Sequence, residues 1–387
     1  MLNTKILEEH DGNDAIGVEA EQLDLEVDEF QDIDRPWDPE SIRVSTKTFS
    51  LRNMVDLIQE GSLDLAPDFQ RLKVWKPVQK AQLIESILLQ IPLPAFYFAE
   101  ESDGSLKVVD GVQRLSTIND FVSGGSDKGG GFYLDGLEYI ADARRKRFSD
   151  LPPVWKRRIF NTQIVVNVIA PTTPAPVMFD IFRRINTGGT PLNSQEIRHC
   201  ISKRRGRDFL KRLVDIPAFD LATGGRLHGQ NRMIDREVTL RFVAFWHYGP
   251  EEYSEESMDA FLIKATRALD DPKLVTDERL DQIAAAFERG LTNAYIVFGD
   301  HAFRKWFDRS ESKHPFNRAL FEVWAVTLSA IPEDVIRDVA QELAVAARNA
   351  MSENVVYLAA LSTSTGAVAN VRRRFEVTAQ IVAGVLK

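Results

Sequence analysis

The sequence predicts an α+β fold, in which a small mixed sheet with helices precedes an all-helical carboxy-terminal part. The strongest predicted strand in the chain is TQIVVNVIA, residues 162–170, in which β-branched residues occur throughout. From about residue 206 onward, apolar residues recur almost everywhere at helical spacing. These observations predict an acidic disordered tail at 1–40, an α+β domain at 41–205 and a helical domain at 206–387.

Charge is distributed unevenly along the 387 residues, whose formal net charge is -9. Residues 1–40 hold 14 acidic and two basic residues, and the remaining 347 residues sum to about +3. Such a tail has too few apolar residues to fold by itself. It either contributes only to solubility or shields a basic groove from polyanions. No apolar run of membrane-spanning length occurs, and the acidic amino terminus is unlike a signal peptide, so we expect a cytoplasmic protein without a membrane partner.

The α+β domain can be predicted element by element. A strand at 42–49 leads into a helix at about 50–59, which Gly61 closes, and a second helix begins near Pro77 and stops at Pro92. AFYFAE and LKVVD are predicted to form a hairpin around ESDGS, followed by a helix over VQRLSTINDFVSG.

Two more helices are predicted to close this domain, and the helical domain follows. The first is VMFDIFRRINTG, and the second is LNSQEIRHCISK, in which Asn193 is the N-cap and Glu196 occupies the capping-box position. Beyond residue 206, helices are predicted over 235–247, 276–296, 316–330, 333–350 and 366–386. The single cysteine, Cys200, excludes an internal disulfide and a Cys-rich zinc site.

The segment VVDGVQRLSTINDF, residues 108–121, places a strand end, a glycine turn and a helix start in succession. Gly111 would let backbone approach a ligand, the first N–H groups of the helix would bind an anion, and Arg114 would add charge. Asp110 would then need a divalent metal between itself and a phosphate, or would orient a water. The alternative is that Asp110 caps the helix and Arg114 pairs with it on the surface.

Two other arginine-bearing turns favour the first interpretation. APDFQRLKVWKPVQK carries Gln70 and Arg71, with Lys80 close behind, and FRRINTGGTPLNSQE carries Arg184 and Asn186 before a glycine turn. Three such turns, each at the start or end of a helix, would be able to converge on one polyphosphate.

These segments, with IESILLQIPLPAFYF between them, resemble in order and spacing the amino-terminal domain of GmrSD-type modification-dependent restriction proteins. This DGQQR-motif family is similar in turn to the ParB/sulfiredoxin-like nuclease superfamily, and the resemblance covers about residues 45–205. It implies a ParB-like nucleotide-binding domain that hydrolyses a nucleoside triphosphate or nicks DNA in defence against foreign DNA.

The resemblance also implies site residues, carried over position by position. Asp110, Gln113 and Arg114 are the expected catalytic residues, and Asp110 is also the expected ligand of Mg²⁺. The expected nucleotide-binding residues are Gln70, Arg71, Lys80, Gly111, Arg184, Asn186, Gly189 and Glu196. One position departs from the signature, because Val112 stands where the family has its first glutamine. If the glutamine amide of the family contacts the nucleotide or the attacking water, activity is weakened or lost in this chain. If the side chain at this position faces the core, valine is a harmless exchange.

Many members of the family owe their cutting activity to a carboxy-terminal HNH nuclease domain, for which this chain has no signature. None of its six histidines has a paired metal-ligand spacing. Basic clusters would instead hold DNA through phosphate contacts, or are solvated helix faces. The expected DNA-binding residues are Arg145, Arg147, Arg157, Arg158, Arg204 and Arg205.

Two functions therefore remain open. The chain is either an NTP hydrolase, with DNA nicking or restriction coupled to it, or a catalytically weak, nucleotide-gated DNA-binding module that controls a separately encoded nuclease or toxin. The sequence leaves the oligomeric state open.

Overall fold

The computed structural model describes residues 6–11, 14–21, 43–65, 75–101, 103–124, 131–185, 193–229, 232–254, 257–308 and 310–386. The chain divides into two compact units. One comprises residues 36–201, and the other joins residues 1–35 to residues 202–387. We call them the mixed unit and the helical unit.

The amino-terminal segment contains an antiparallel hairpin of β1, Glu8–Asp11, and β2, Asp14–Glu19. The prediction of a disordered tail is wrong for this stretch, and the reason is tertiary. The hairpin lacks a core of its own, but Val18 is fully buried in the core of the helical unit, and Glu19 N–H donates to the Phe316 carbonyl at 2.8 Å. The rest of the predicted tail, residues 1–5, 12–13 and 22–40, lies outside the described residues.

The mixed unit is built on a five-stranded sheet with the order β3-β7-β5-β6-β4. The β3–β7 and β5–β6 pairs are antiparallel, whereas β4–β6 and β5–β7 are parallel, so the α+β class with a mixed sheet is confirmed. The strands are β3 Val44–Ser50, β4 Leu63–Asp64, β5 Phe96–Glu100, β6 Leu106–Asp110 and β7 Gln163–Ile169. The hairpin predicted around ESDGS is the β5–β6 pair.

Helices cover the apolar side chains of this sheet. Phe96, Phe98, Val108 and Val166 are fully buried in the same core as α-helical side chains such as Ile84. The helices are α1 Leu51–Gln59, α2 Pro77–Leu88, α3 Val112–Ser123, α4 Pro153–Asn161, α5 Ala175–Ile185 and α6 Ser194–Ile201.

The helical unit contains nine α-helices among the described residues, as the apolar periodicity predicts. Their shared core is rich in aromatic rings, including Phe242, Phe287, Phe321 and Trp324. The helices are α7 Arg204–Val214, α8 Pro217–Thr223, α9 Ile234–Tyr248, α10 Met258–Asp270, α11 Asp277–Phe298, α12 Arg318–Leu328, α13 Glu333–Glu353, α14 Val355–Ala360 and α15 Val368–Val385. Across the described ranges, no helix has both the length and the apolar character needed to cross a bilayer.

A buried carboxylate fixes the loop between α3 and α4. Glu85 of α2 accepts backbone N–H groups from Glu138 at 3.0 Å, Tyr139 at 2.7 Å and Ile140 at 2.8 Å. Burial opposes ionisation of Glu85, but these hydrogen bonds and nearby Arg144 outweigh it and hold its pKa below the ordinary 4.5.

We expect Glu85→Gln to destabilise the protein by about 2 kcal/mol, because an amide accepts fewer of the three bonds and more weakly. The carboxylate contribution is complete above about pH 4.5 and is lost as the pH falls through the lowered pKa. Urea unfolding at pH 7 and at pH 3 measures both effects, with the exposed neighbour Glu138→Gln as control. An equal loss in the two variants at pH 7 contradicts the prediction.

Candidate functional site

The turn between β6 and α3 has a backbone that only glycine accommodates. Gly111 has a φ of +99°, and a Cβ built on it would lie 2.2 Å from Cδ1 of Phe96. Gly111 is also the N-cap of α3, and no side chain caps this helix. Its first-turn N–H groups therefore have no side-chain acceptor from the N-cap, which leaves them available for an anion.

Arg114 lies in the first turn of α3 and is tied to the chain segment that precedes β5. Its Nη1 donates to the Pro94 carbonyl at 2.5 Å, and its Nη2 donates to the Ala95 carbonyl at 3.3 Å and to Oδ2 of Asp110 at 2.9 Å. The guanidinium also lies over the Phe96 ring, 4.2 Å from its centroid. Burial lowers the pKa of Arg114 and Asp110 opposes this, yet an arginine remains charged in proteins.

The surface-turn interpretation of Asp110 holds only in part. Asp110 does pair with Arg114, as the surface-turn interpretation requires. It does not cap the helix, and the pair is largely buried on the arginine side. The Asp110 carboxylate therefore lies at the end of β6, and its position is set by the ion pair with Arg114.

The two residues between Gly111 and Arg114 face different surroundings. Val112 packs against the apolar core of the mixed unit, which supports the interpretation that valine is a harmless exchange here. Gln113 is half-buried, and the structure gives its amide no hydrogen bond to any described residue. Its amide is thus free to meet a ligand or a water at the helix start.

Lys80 does not lie at this turn. Its Nζ pairs with Oδ2 of Asp120 at 3.6 Å, and it lies near the Phe132 ring. Asp120 is six residues beyond Arg114, about 9 Å along the helix axis. The structure therefore places Lys80 beside the second half of α3.

The predicted downstream motif is only partly described. Asn193 and Glu196 form the predicted capping box, in which Glu196 accepts the Asn193 N–H at 2.7 Å and donates its own N–H to the Asn193 side chain at 2.8 Å. Glu196 is buried in this role, and nothing in its geometry indicates contact with a nucleotide. Arg184 is exposed near the end of α5, without a contact to the Asp110 turn among the described residues. Four predicted nucleotide-binding residues lie outside the described residues: Gln70, Arg71, Asn186 and Gly189.

The predicted DNA-binding arginines of the mixed unit differ in what they contact. Arg158 donates to the Leu88 carbonyl at 2.8 Å and so completes the end of α2. Arg147 lies over the Tyr133 ring, 4.3 Å from its centroid. Two of the four are exposed, Arg145 and Arg157.

The two predicted DNA-binding arginines of the helical unit, Arg204 and Arg205, also differ in their contacts. Arg205 donates to the Leu269 carbonyl at 2.6 Å and to the Val275 carbonyl at 2.8 Å, and it pairs with Asp277 at 2.7 Å. These bonds fix the connection between α10 and α11. Arg204 is exposed, so it alone of this pair presents its charge to solvent.

No three His, Cys, Asp or Glu side chains come together as a metal site in the part of the chain that the structure describes. Among the described residues, Asp110 is the carboxylate at the turn that would hold a metal. One carboxylate with phosphate oxygens and waters is how Mg²⁺ is usually held in triphosphate sites, so the donor set fits that ion.

The comparison with known families finds a match in this part of the chain. Residues 51–202 match the family model described as GmrSD restriction endonuclease, N-terminal domain. The chain carries a GmrSD N-terminal domain. The match includes the Asp110 turn and the α6 capping box, and it relates the chain to restriction and defence. The comparison with curated proteins finds no match.

Within the GmrSD N-terminal domain, the structure also shows polar residues that were not predicted as part of the site. Helix α6, which contacts β6, buries Gln195 and Arg198, and Arg198 Nε donates to Gln195 Oε1 at 2.9 Å. The sequence signal was present in QEIRH, where polar residues continue around the whole helix. A short helix with polar residues on every face is buried only when those residues find partners.

Proposed function

We propose that the turn of Asp110, Gly111, Gln113 and Arg114 binds the phosphates of a nucleoside triphosphate with Mg²⁺, and that the protein hydrolyses this nucleotide in the cytoplasm during restriction of foreign or modified DNA. The observation that carries the proposal is the helix start. It offers N–H groups, no capping side chain and a carboxylate that is held beside it rather than used as a cap.

The chemistry follows from the positions of the groups. The N–H groups and the dipole at the start of α3 attract phosphate oxygens. Mg²⁺ bound to Asp110 would offset the repulsion between that carboxylate and the nucleotide. Gln113 would orient the attacking water, as an amide does in other nucleotide hydrolases.

Arg114 has a different role in this proposal from the one expected from sequence. Its Nη1 and Nη2 already bind Pro94, Ala95 and Asp110, so it is a positioning residue that fixes the carboxylate. Charge that develops on the phosphates would be stabilised by the helix start and by Mg²⁺.

Asp110→Asn tests the site, with Asp120→Asn in the following helix α3 as a matched control. We expect phosphate release from NTP and Mg²⁺ to fall by about 100-fold or more in Asp110→Asn and to stay unchanged in Asp120→Asn. Nucleotide with Mg²⁺ should raise the melting temperature of the wild type by several degrees, and this shift should shrink in Asp110→Asn. Release that is equal in wild type and Asp110→Asn contradicts the assignment.

One observation favours a second function, nucleotide-gated DNA binding without rapid turnover. Because the arginine of the signature is committed to structural contacts, the described turn has no cation free to stabilise a transition state. Such a module would control a separately encoded nuclease or toxin. Exposed Arg145, Arg157 and Arg204 are the proposed phosphate contacts in either case.

DNA titrations at several salt concentrations, with and without nucleotide, separate the two functions. A gate predicts affinity that changes with nucleotide while no phosphate is released, whereas a hydrolase releases phosphate. Replacing Arg145 and Arg157 by alanine should reduce the slope of log affinity against log salt by about 1 to 2, because each arginine releases about one counterion.

A further inference from the structure

The helical unit has a groove that is filled by the amino-terminal segment, residues 6–11 and 14–21. The segment enters as a strand: Phe316 N–H donates to the Gly17 carbonyl at 2.8 Å, and Glu19 N–H donates to the Phe316 carbonyl at 2.8 Å. Between them, Val18 is fully buried in the core of the unit. This is strand addition combined with one apolar anchor.

Three buried cations of the groove each receive a carboxylate from the segment. Arg318 binds both oxygens of Glu9, at 2.8 and 3.0 Å. Lys305 binds Glu19 at 2.5 Å. The third cation, Arg241, binds Glu21 at 3.0 Å.

These cations depend on the segment because they have almost no access to water. Their side chains are only 6, 1 and 4 % exposed for Arg318, Lys305 and Arg241. Glu237 and Glu322 of the helices neutralise part of the charge. Removing the segment would leave the remaining positive charge of these side chains without a counter-charge, which is costly for buried ions. The groove therefore selects an extended, acidic segment with an apolar residue at the position of Val18.

None of these contacts depends on the chain being continuous. The three ion pairs join residues that are 309, 286 and 220 positions apart in sequence. The resident segment has only the advantage of a high effective concentration, and the same contacts would form with a segment from another molecule. Exchange of such an element between identical molecules is domain swapping, a low-cost route to dimers.

We propose that the groove is an interaction site between two copies of this chain, which exchange residues 6–21. The occupant is the acidic segment of the second copy, bound through Val18, Glu9, Glu19 and Glu21 as the resident segment is bound. Exchange links two molecules without any new contact surface, and it is independent of the nucleotide site.

A peptide experiment tests the site on the folded, full-length chain. Fluorescent peptide 6–21 should bind the wild type at one copy per chain and slowly, since the resident segment must leave first. Binding should be faster to the Glu9→Ala chain, whose own segment has lost its pair with Arg318. Peptides with Val18→Asp or Glu19→Lys should bind at least about 10-fold more weakly, in line with the loss of a buried contact.

Two results of this experiment overturn the proposal. One is no binding of the wild-type peptide to either chain. The other is equal binding of a scrambled peptide of the same composition, which would show attraction by charge alone.

Complementary charge reversal tests exchange between proteins. A Glu9→Arg chain and an Arg318→Glu chain should form a mixed dimer on mixing, because each groove then finds a complementary segment on the other molecule. The chain with both substitutions restores the pair internally and serves as the control, which should form no mixed dimer. Absence of the mixed dimer in native mass spectrometry, with both chains folded, overturns exchange; if Arg318→Glu does not fold, the peptide result decides.

Discussion

Gly111→Ala is expected to destabilise the mixed unit by about 3 to 5 kcal/mol. A side chain at a φ of +99° is strained, which costs about 1 to 3 kcal/mol. The added methyl would also lie 2.2 Å from Cδ1 and 2.7 Å from Cε1 of Phe96, and overpacking of this kind costs about 1 to 3 kcal/mol more. Phe96 is fully buried in the central strand region, so it has little room to move.

Urea unfolding of Gly111→Ala and Gly104→Ala separates the two contributions. Gly104 has a similar φ of +83°, but a Cβ there would meet nothing within 4 Å. We therefore expect about 1 kcal/mol from Gly104→Ala, which measures strain alone. In a Phe96→Leu background, Gly111→Ala should cost less than in the wild type, because the two residues are in contact. Equal losses at the two glycines would show that Phe96 does not restrict the turn.

The regular elements were predictable because each is specified by residues close together in sequence. The helix predicted at 333–350 spans Glu333–Glu353, and the strand predicted at 42–49 spans Val44–Ser50. The capping box of Asn193 and Glu196 was predicted for the same reason, since its two hydrogen bonds join residues three positions apart. Local periodicity and capping therefore determine most of this fold.

The parts that were not predicted depend on distant partners. Arg114 was expected to face a nucleotide, but the Pro94 and Ala95 carbonyls that bind it lie about twenty positions earlier in the chain. The amino-terminal segment was expected to be disordered, yet it is held by Lys305 and Arg318, which lie about three hundred positions away. Composition describes which surface a segment can bury by itself, but not which contacts a distant part of the chain offers to it.

The glycine turn and the fixed carboxylate together sharpen the assignment of the site. Val112 in place of glutamine gives a reason to suspect an inactive site, and its packing against the core weakens that reason. The remaining question concerns Arg114, which binds Asp110 at 2.9 Å and so sets its position. In the proposed enzyme, Arg114 would orient the carboxylate that holds the metal, and the Asp110→Asn comparison tests whether that orientation supports turnover.

Glu322→Ala is expected to destabilise the helical unit by about 3 to 5 kcal/mol. Glu322 is fully buried and receives hydrogen bonds from Arg374, including one from Nε at 2.8 Å, while Arg241 lies 3.4 Å away. Removing the carboxylate leaves buried arginines with less counter-charge, and breaking one side of such a pair is strongly destabilising. The pKa of Arg241, which burial alone would lower, is raised by Glu21, Glu237 and Glu322, so this cation keeps its charge and needs its partners.

The control is an exposed ion pair on the neighbouring helix α13. Glu333 binds Arg337 at 2.6 Å, a shorter distance than the 2.8 Å from Arg374 Nε to Glu322, but both side chains are about half exposed. We expect Glu333→Ala to change stability by at most about 0.5 kcal/mol, because water solvates the freed arginine. Glu322→Gln should fall between the two, since it keeps an acceptor oxygen without the charge. If Glu322→Ala costs no more than Glu333→Ala in urea unfolding, burial does not decide the strength of these ion pairs. The buried cations of the groove would then not need the carboxylates of the acidic segment either.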